Sequence, residues 1–373
     1  MHEARVEDIK VADLREAFLK APPLQISDIV HSPQEEVEFK TYLIHCMARI
    51  IVQFGGHGFE KFKDDLDKTQ PASKKKIEVH KTELFPLPAM HIDESTIIGN
   101  ADVDAAIANE LQIRDSKFLD LLARFFGGDQ LSLARRRALE LLRAGHESDY
   151  HGWFWGVDLI GLFHGKIADA HGTLLTHFGK PNAGTRNPCC LAFHNTRLDR
   201  LPITTTSLPP FRTCRDLIFV SLYARVLHCL LLVSGYTSLD EYLSNVNSWL
   251  EVYSHAEKIY ETYLTPGIVD DLRFERDIEV MEQANQERTN TDPPIPTEGD
   301  MVFENAILFL RDALISREFT DAVKAGDSGR ILLVLKTWAL SFRGNGRTKY
   351  AYEMLHVVHN LTSVWPEPIR YAL

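Results

Sequence analysis

Asp129 follows Arg124-Phe125-Phe126-Gly127-Gly128 and precedes Gln130-Leu131-Ser132, so an apolar run stops at two glycines and an acid before the helix-rich segment 133–144. An acid at the carboxyl edge of a strand, with glycines that let the backbone approach a ligand, suits a cation that assists phosphoryl transfer. The same residues also suit a plain turn in which Asp129 caps the next helix. Glu353 lies between Tyr350 and His356 on a helix expected at 346–362. A late-helix glutamate opposite strand-end aspartates can complete a two-metal phosphodiester site, and a solvent-facing carboxylate is the simpler alternative. Asp93, after the extended Ala89-Met90-His91-Ile92, is another strand-end acid or an ordinary turn carboxylate.

Six histidines fall between Gly145 and His194: His146, His151, His164, His171, His177 and His194. On a helix His164 and His171, seven residues apart, point about 20° from each other, and His177 falls on the opposite side. They read as a hydrogen-bonded core pair, or as metal ligands beside a carboxylate brought from elsewhere, for which Asp129 is the donor of choice. Arg135-Arg136-Arg137 with Arg143, Lys74-Lys75-Lys76, and Arg343 with Arg347 and Lys349 are local basic patches. Of these, Arg135, Arg136, Arg343, Arg347 and Lys349 are the candidates for nucleic acid, although such runs also serve as solvated faces. A net charge of -11 argues against a general polyanion binder, while leaving these local patches able to bind.

The elements that must position these groups read as mostly helical. Helices are expected at 13–20, 33–54 and 60–68, with a Gly55-Gly56-His57-Gly58 break before the last. Short extended pieces bounded by Pro86 and Pro88 are expected over 77–92, then a helix at 103–111 and a strand at 118–126. Residues 153–178 read as a helix-like apolar stretch, and 179–211, rich in Pro, Gly, Asn and Thr, as an irregular connection. Further helices are expected at 212–234, 238–264, 268–288, 301–324 and 327–342, with a linker-like 289–299.

The 373 residues, 45% of them hydrophobic, suffice for one large or two ordinary domains with a packed core. Five cysteines, two adjacent at Cys189-Cys190, form neither C-x-x-C spacing nor a disulfide framework, which fits a reducing compartment, nucleus or cytoplasm. The charged N-terminus lacks the apolar core of a secretory signal. The longest apolar run, Leu217 to Val233, is interrupted by Arg225 and His228 and is short of the roughly 20 residues a bilayer needs, so a buried helix and no membrane partner are expected. No nucleophile elbow, P-loop, H-E-x-x-H or G-x-G-x-x-G occurs, which leaves NTPase, zincin and dinucleotide readings, and any small-molecule cofactor, without support.

The blocks Leu87-Pro88-Ala89-Met90-His91-Ile92-Asp93-Glu94-Ser95, Gly128-Asp129-Gln130-Leu131-Ser132, Gly161-Leu162-Phe163-His164-Gly165-Lys166, Ala192-Phe193-His194-Asn195-Thr196, Ser207-Leu208-Pro209-Pro210-Phe211-Arg212, Ala325-Gly326-Asp327-Ser328-Gly329-Arg330 and Tyr350-Ala351-Tyr352-Glu353 resemble a large family expanded in mushroom-forming fungi that carries only a domain-of-unknown-function label. The resemblance runs along nearly the whole chain. The family's multiplication within genomes and its strand-end aspartates imply descent from a cut-and-paste transposase with a ribonuclease-H-like core. Carried over by position, Asp129 is the middle metal-binding acid and Glu353 the terminal one, with the helices of 212–342 inserted between them. Family members usually carry an extended segment ending in Asp-Asn upstream of where this chain begins, and tend to continue past Leu373, so a fragment or truncated relative is expected. Asp93 is the substitute for the first acid, only 36 residues before Asp129.

The resulting expectation is a predominantly helical α/β protein with a small sheet, as a partial ribonuclease-H-like core, and a large all-helical C-terminal part. Its segments are 1–76, helical; 77–211, mixed α/β; and 212–373, helical. The expected function is metal-dependent DNA cleavage or strand transfer, with Asp129 and Glu353 on Mg²⁺ or Mn²⁺ and His164 and His171 close by. The competing expectation is a noncatalytic helical scaffold or protein-interaction module.

Overall fold

A computed structural model describes residues 10–78, 81, 83–113, 123–146, 149–180, 184–265, 267–287 and 301–372. The protein is a predominantly helical α/β chain with one small parallel sheet. It divides into two compact units, one made of Met1–Ser32, Ser73–Ala168 and Gly326–Leu373, the other of Pro33–Ala72 and Asp169–Ala325. The helices of 212–373 are therefore shared between the units, parting at Gly326.

The first unit is built on β1 (Arg124–Gly128) and β2 (Gly156–Ile160), paired in parallel with Arg124 opposite Gly156 and Gly128 opposite Ile160. Parallel strands need a crossover, and the Gln130–Leu142 helix supplies it. Alternation along the strands sorts side chains to two faces. Val157 joins Ala123, Val364, Trp365 and Ile369 on one. Phe126 packs against Ala101, Leu139, Trp153 and Trp155 on the other. The helix Ile97–Glu110 packs on Gln130–Leu142, and its entry forces a close approach. A Cβ on Gly99 would stand 1.8 Å from the Asp93 carbonyl oxygen, so only glycine fits there. The C-terminal helices Ser328–Gly344 and Thr348–His359, followed by a π turn at Asn360–Val364, complete the unit.

In the second unit the helices Pro33–Phe54, Phe211–Ser234, Trp249–Tyr263 and Met301–Ala325 pack on one another. Their facing residues, among them Met47, Ile50, Leu217, Leu230, Val252, Ile259, Phe309 and Leu314, are buried. Full burial of side chains this size contributes about 1.5–3 kcal/mol each before entropy is counted. Asp321 is buried in this core and is paired with Arg317 at 3.0 Å and Arg49 at 3.6 Å, as a buried charge requires. Phe211–Ser234 is 24 residues long and by length and composition could cross a membrane. It exceeds the expected apolar run because it starts at Phe211, directly after Pro210, where proline does not obstruct a helix.

Several expected elements are corrected. The stretch 153–178 is not one helix but β2 followed by Leu162–His177, because Trp155 to Ile160 is flanked by the Gly161 junction. The expected helix 238–264 is two, Leu239–Asn245 and Trp249–Tyr263. Ser248 caps the second through the Glu251 N–H, and Lys61 Nζ donates to the carbonyls of Leu243 and Val246 at the break. Within 179–211 the helix Leu191–Arg197 forms. Among the described residues of 77–92 no strand pairs, in keeping with Pro86 and Pro88, which remove ladder donors. The helix expected at 103–111 starts earlier, at Ile97, where Thr96 Oγ1 caps Gly99 N–H. The linker expected at 289–299, the charged N-terminus through residue 9 and residues 118–122 of the expected strand lie outside the described residues.

Candidate active site

β1 and β2 end side by side. The Gly161 N–H donates to the Gly128 carbonyl at 2.7 Å, so both strand-to-helix junctions meet at one edge of the sheet. Asp129 leaves β1 in an extended conformation and its Oδ1 accepts from the Ser132 N–H at 2.8 Å, which makes it the N-cap of Gln130–Leu142. That bond, first, and the nearby His164 hold the Asp129 carboxyl below its ordinary pKa and keep it ionised. His164 stands in the first turn of Leu162–His177, its N–H on the Gly161 carbonyl at 2.9 Å. Asp129 and His164 thus share the carboxyl edge of the sheet.

The Thr348–His359 helix packs on β2 and on Gln130–Leu142, and carries Tyr350 and Glu353 three residues apart on one face. Burial raises the Tyr350 phenol pKa most, and the negative charges of Asp129 and then Glu353 raise it further, against Arg347. Glu353 is 3% exposed and its Oε1 accepts from Nη2 of Arg137, whose side chain is 28% exposed. One turn on, burial and the Arg137 charge lower the His356 pKa, with Glu353 opposing.

The other candidates have separate tasks. Asp93 Oδ1 accepts from the Ser95 N–H at 2.9 Å in the turn before Ile97–Glu110, and that turn bonding holds its pKa down. Arg135 Nη1 donates to the Glu94 carbonyl at 2.7 Å. Arg136 is not a surface cation but a buried one. It pairs with Asp104, donates from Nε to Asp158 Oδ1 at 2.7 Å, and lies 3.7 Å over the Phe126 ring, so no phosphate can reach it. His171, in the second unit, is buried with Nε2 on the Pro209 carbonyl at 2.8 Å, which makes it a core histidine. His177 pairs with Asp312 in that same unit. Arg343 and Lys349 are exposed and Arg347 is half-buried beside Tyr350.

Sequence reading missed the partner of Glu353. Arg137 was visible only as one of three consecutive arginines, and nothing local marks which of them turns inward. Glu140 was also missed. Burial, and then Asp158, push its pKa up to about 7 beside Arg136 and Arg137.

Mg²⁺ or Mn²⁺ does not fit the acids as they stand. Glu353 has given an oxygen to a permanent guanidinium charge, which would repel a dication at the same carboxylate. Among the described residues no group of three or more His, Cys, Asp or Glu side chains is arranged to hold a metal ion. Residues 18–373 match the family described as "Family of unknown function (DUF6589)". No curated protein and no solved structure matches the chain.

Proposed function

The chain belongs to this family of unknown function, and from that premise we propose that it is a transposase-derived protein whose ribonuclease-H-like acid pair now serves the fold, leaving a noncatalytic helical scaffold that works by interaction inside the cell. The observation that carries this reading is the closure of Glu353 by Arg137. Descent from a ribonuclease-H-like core is supported by two parallel strands, each followed by a helix, with Asp129 at their carboxyl edge. It is further supported by the order of the chain, in which most of the second unit, Asp169–Ala325, intervenes between β2 and the Glu353 helix.

A second reading, metal-dependent DNA cleavage or strand transfer at Asp129 and Glu353, draws on the convergence of both acid charges on Tyr350. In that reading Asp93 would stand in for the first acid, Mg²⁺ or Mn²⁺ would supply charge stabilisation at the phosphodiester, and Arg343, Arg347 and Lys349 would meet the DNA backbone. Incubation of the purified chain with labelled duplex DNA and Mg²⁺ or Mn²⁺ separates the two. The scaffold reading expects no metal-dependent cleavage above that of Glu353→Gln. Cleavage that disappears in both Asp129→Asn and Glu353→Gln would overturn it in favour of the second.

A further inference from the structure

The helix Gly267–Glu287, in the second unit, rests on Met301–Ala325 by one face. Val269 is buried there and Leu272 is half-buried. Arg273 Nε reaches Glu304 at 3.2 Å and Arg276 Nη1 reaches it at 2.7 Å, so both cations of the helix are drawn to that side. Phe274, Ile278 and Met281 follow one another at the spacing of a single helical stripe. At about 100° of turn per residue, Leu272 and Arg276 lie roughly opposite it. The stripe is open to solvent: Phe274 is 67% exposed, Ile278 39% and Met281 68%.

Single exposed apolar side chains are ordinary on a protein surface. Three in helical register, on the outward face of one helix, form the anchor pattern by which a helix docks on a partner. The charges beside the stripe tell what covers it. Asp270 and Asp277 run along one side and Glu275 and Glu282 along the other, all four exposed. Asp277 also meets Arg276 at 3.7 Å, but the two arginines are committed to Glu304 on the packed face. Laid against a second copy, parallel or antiparallel, the stripe would bring acid against acid. A helix whose apolar stripe is flanked by lysine or arginine would instead meet opposite charge along both sides.

Resting on the reading of this chain as a scaffold that works by interaction, we propose that the stripe of Phe274, Ile278 and Met281 is a docking face for a basic amphipathic helix of another protein. The three side chains anchor that helix, and Asp270, Glu275, Asp277 and Glu282 select its charge.

The probe is a synthetic heptad-repeat peptide with Ile at a, Leu at d and Lys at e and g, whose like charges keep it from pairing with itself; the control peptide has Glu at e and g. In fluorescence anisotropy with the full chain, the lysine peptide is expected to bind at least about tenfold tighter than the control, and to weaken as salt rises from about 50 to about 500 mM. Phe274→Gln/Ile278→Gln should abolish that binding with an unchanged melting midpoint, since both side chains face solvent. Glu275→Lys/Asp277→Lys/Glu282→Lys should reverse the preference between the peptides. A wild type that binds neither peptide overturns the docking face, as does binding that survives Phe274→Gln/Ile278→Gln or a preference that does not follow the charge reversal. So does a dimer in sedimentation that Phe274→Gln/Ile278→Gln dissolves, which would give the face to a second copy. A melting loss of several degrees in that variant also overturns it, because the stripe would then be covered by its own chain. Failure of the docking face leaves the scaffold reading intact, whereas acid-dependent DNA cleavage by wild type overturns that reading whatever the peptides do.

Discussion

Nε of Arg136 donates to Oδ1 of Asp158 at 2.7 Å, tying the crossover helix to the second strand of the sheet. The same guanidinium pairs with Asp104, which also accepts from Trp153 Nε1 at 3.0 Å. Three elements of the first unit thus share one buried cation.

Replacing Arg136 by alanine strands two buried carboxylates at once. Breaking a buried ion pair from one side costs about 3–5 kcal/mol, since the remaining charge has no solvent to return to. Arg136→Ala should therefore lower the unfolding free energy measured in urea by that order, while Arg135→Ala, whose side chain donates to the Glu94 carbonyl, should change it by less than about 1 kcal/mol. Equal losses in the two variants would mean that the Arg136 cluster does not hold the sheet to its helix.

Glu140 predicts a pH dependence. Burial first, and the Asp158 charge second, raise its pKa from 4.5 to about 7. A raised carboxylate means that the folded chain holds a proton that the unfolded chain releases. Stability from this residue is full below the unfolded pKa and falls as pH rises through the folded value, between about 4.5 and 7. Glu140→Gln, neutral throughout, should be more stable than wild type at pH 8 by roughly 3 kcal/mol and nearly equal at pH 4.5. Chemical denaturation of both chains at the two pH values checks this; a gap that does not widen with pH removes Glu140 as its source.

How far such features were legible depends on how local they are. The helix Pro33–Phe54 matches its expected span because period and breaks lie in adjacent residues, ending at Gly55-Gly56. β2 was hidden, since an unbroken apolar run reads equally as buried strand or buried helix, and the helix that follows extended the run. Asp129 could be read as strand-end acid or cap because both follow from one junction. The fate of Glu353 could not be read at all. Its partner Arg137 is 216 residues away, and only packing of the Thr348–His359 helix on Gln130–Leu142 brings the two together.

Asp129 is the residue at which cap and ligand roles can be parted by substitution. Its Oδ1 on the Ser132 N–H stabilises the start of Gln130–Leu142, so Asp129→Ala should cost about 1 kcal/mol and Asp129→Asn much less. The carboxyl is held below its ordinary pKa of 3.8, so its contribution is present above that value and is lost as pH falls through the lower, folded-state pKa. Melting scans from pH 7 to pH 2 should show the wild-type advantage over Asp129→Asn shrinking only at the acid end. A loss in Asp129→Ala that asparagine does not recover would assign the residue to something other than the cap.

The cations Arg343, Arg347 and Lys349 decide whether DNA belongs among the partners. Arg343 and Lys349 are exposed and Arg347 is half-buried, and each phosphate they neutralise would contribute about 0.9 to the slope of log K against log salt on duplex DNA. The proposed DNA-contact surface therefore expects the Arg343→Gln/Arg347→Gln/Lys349→Gln variant to lose about 2–3 from that slope and to bind more weakly across unrelated sequences. In fluorescence anisotropy between about 50 and 200 mM salt, a triple variant with an unchanged slope would remove this surface from any contact with nucleic acid.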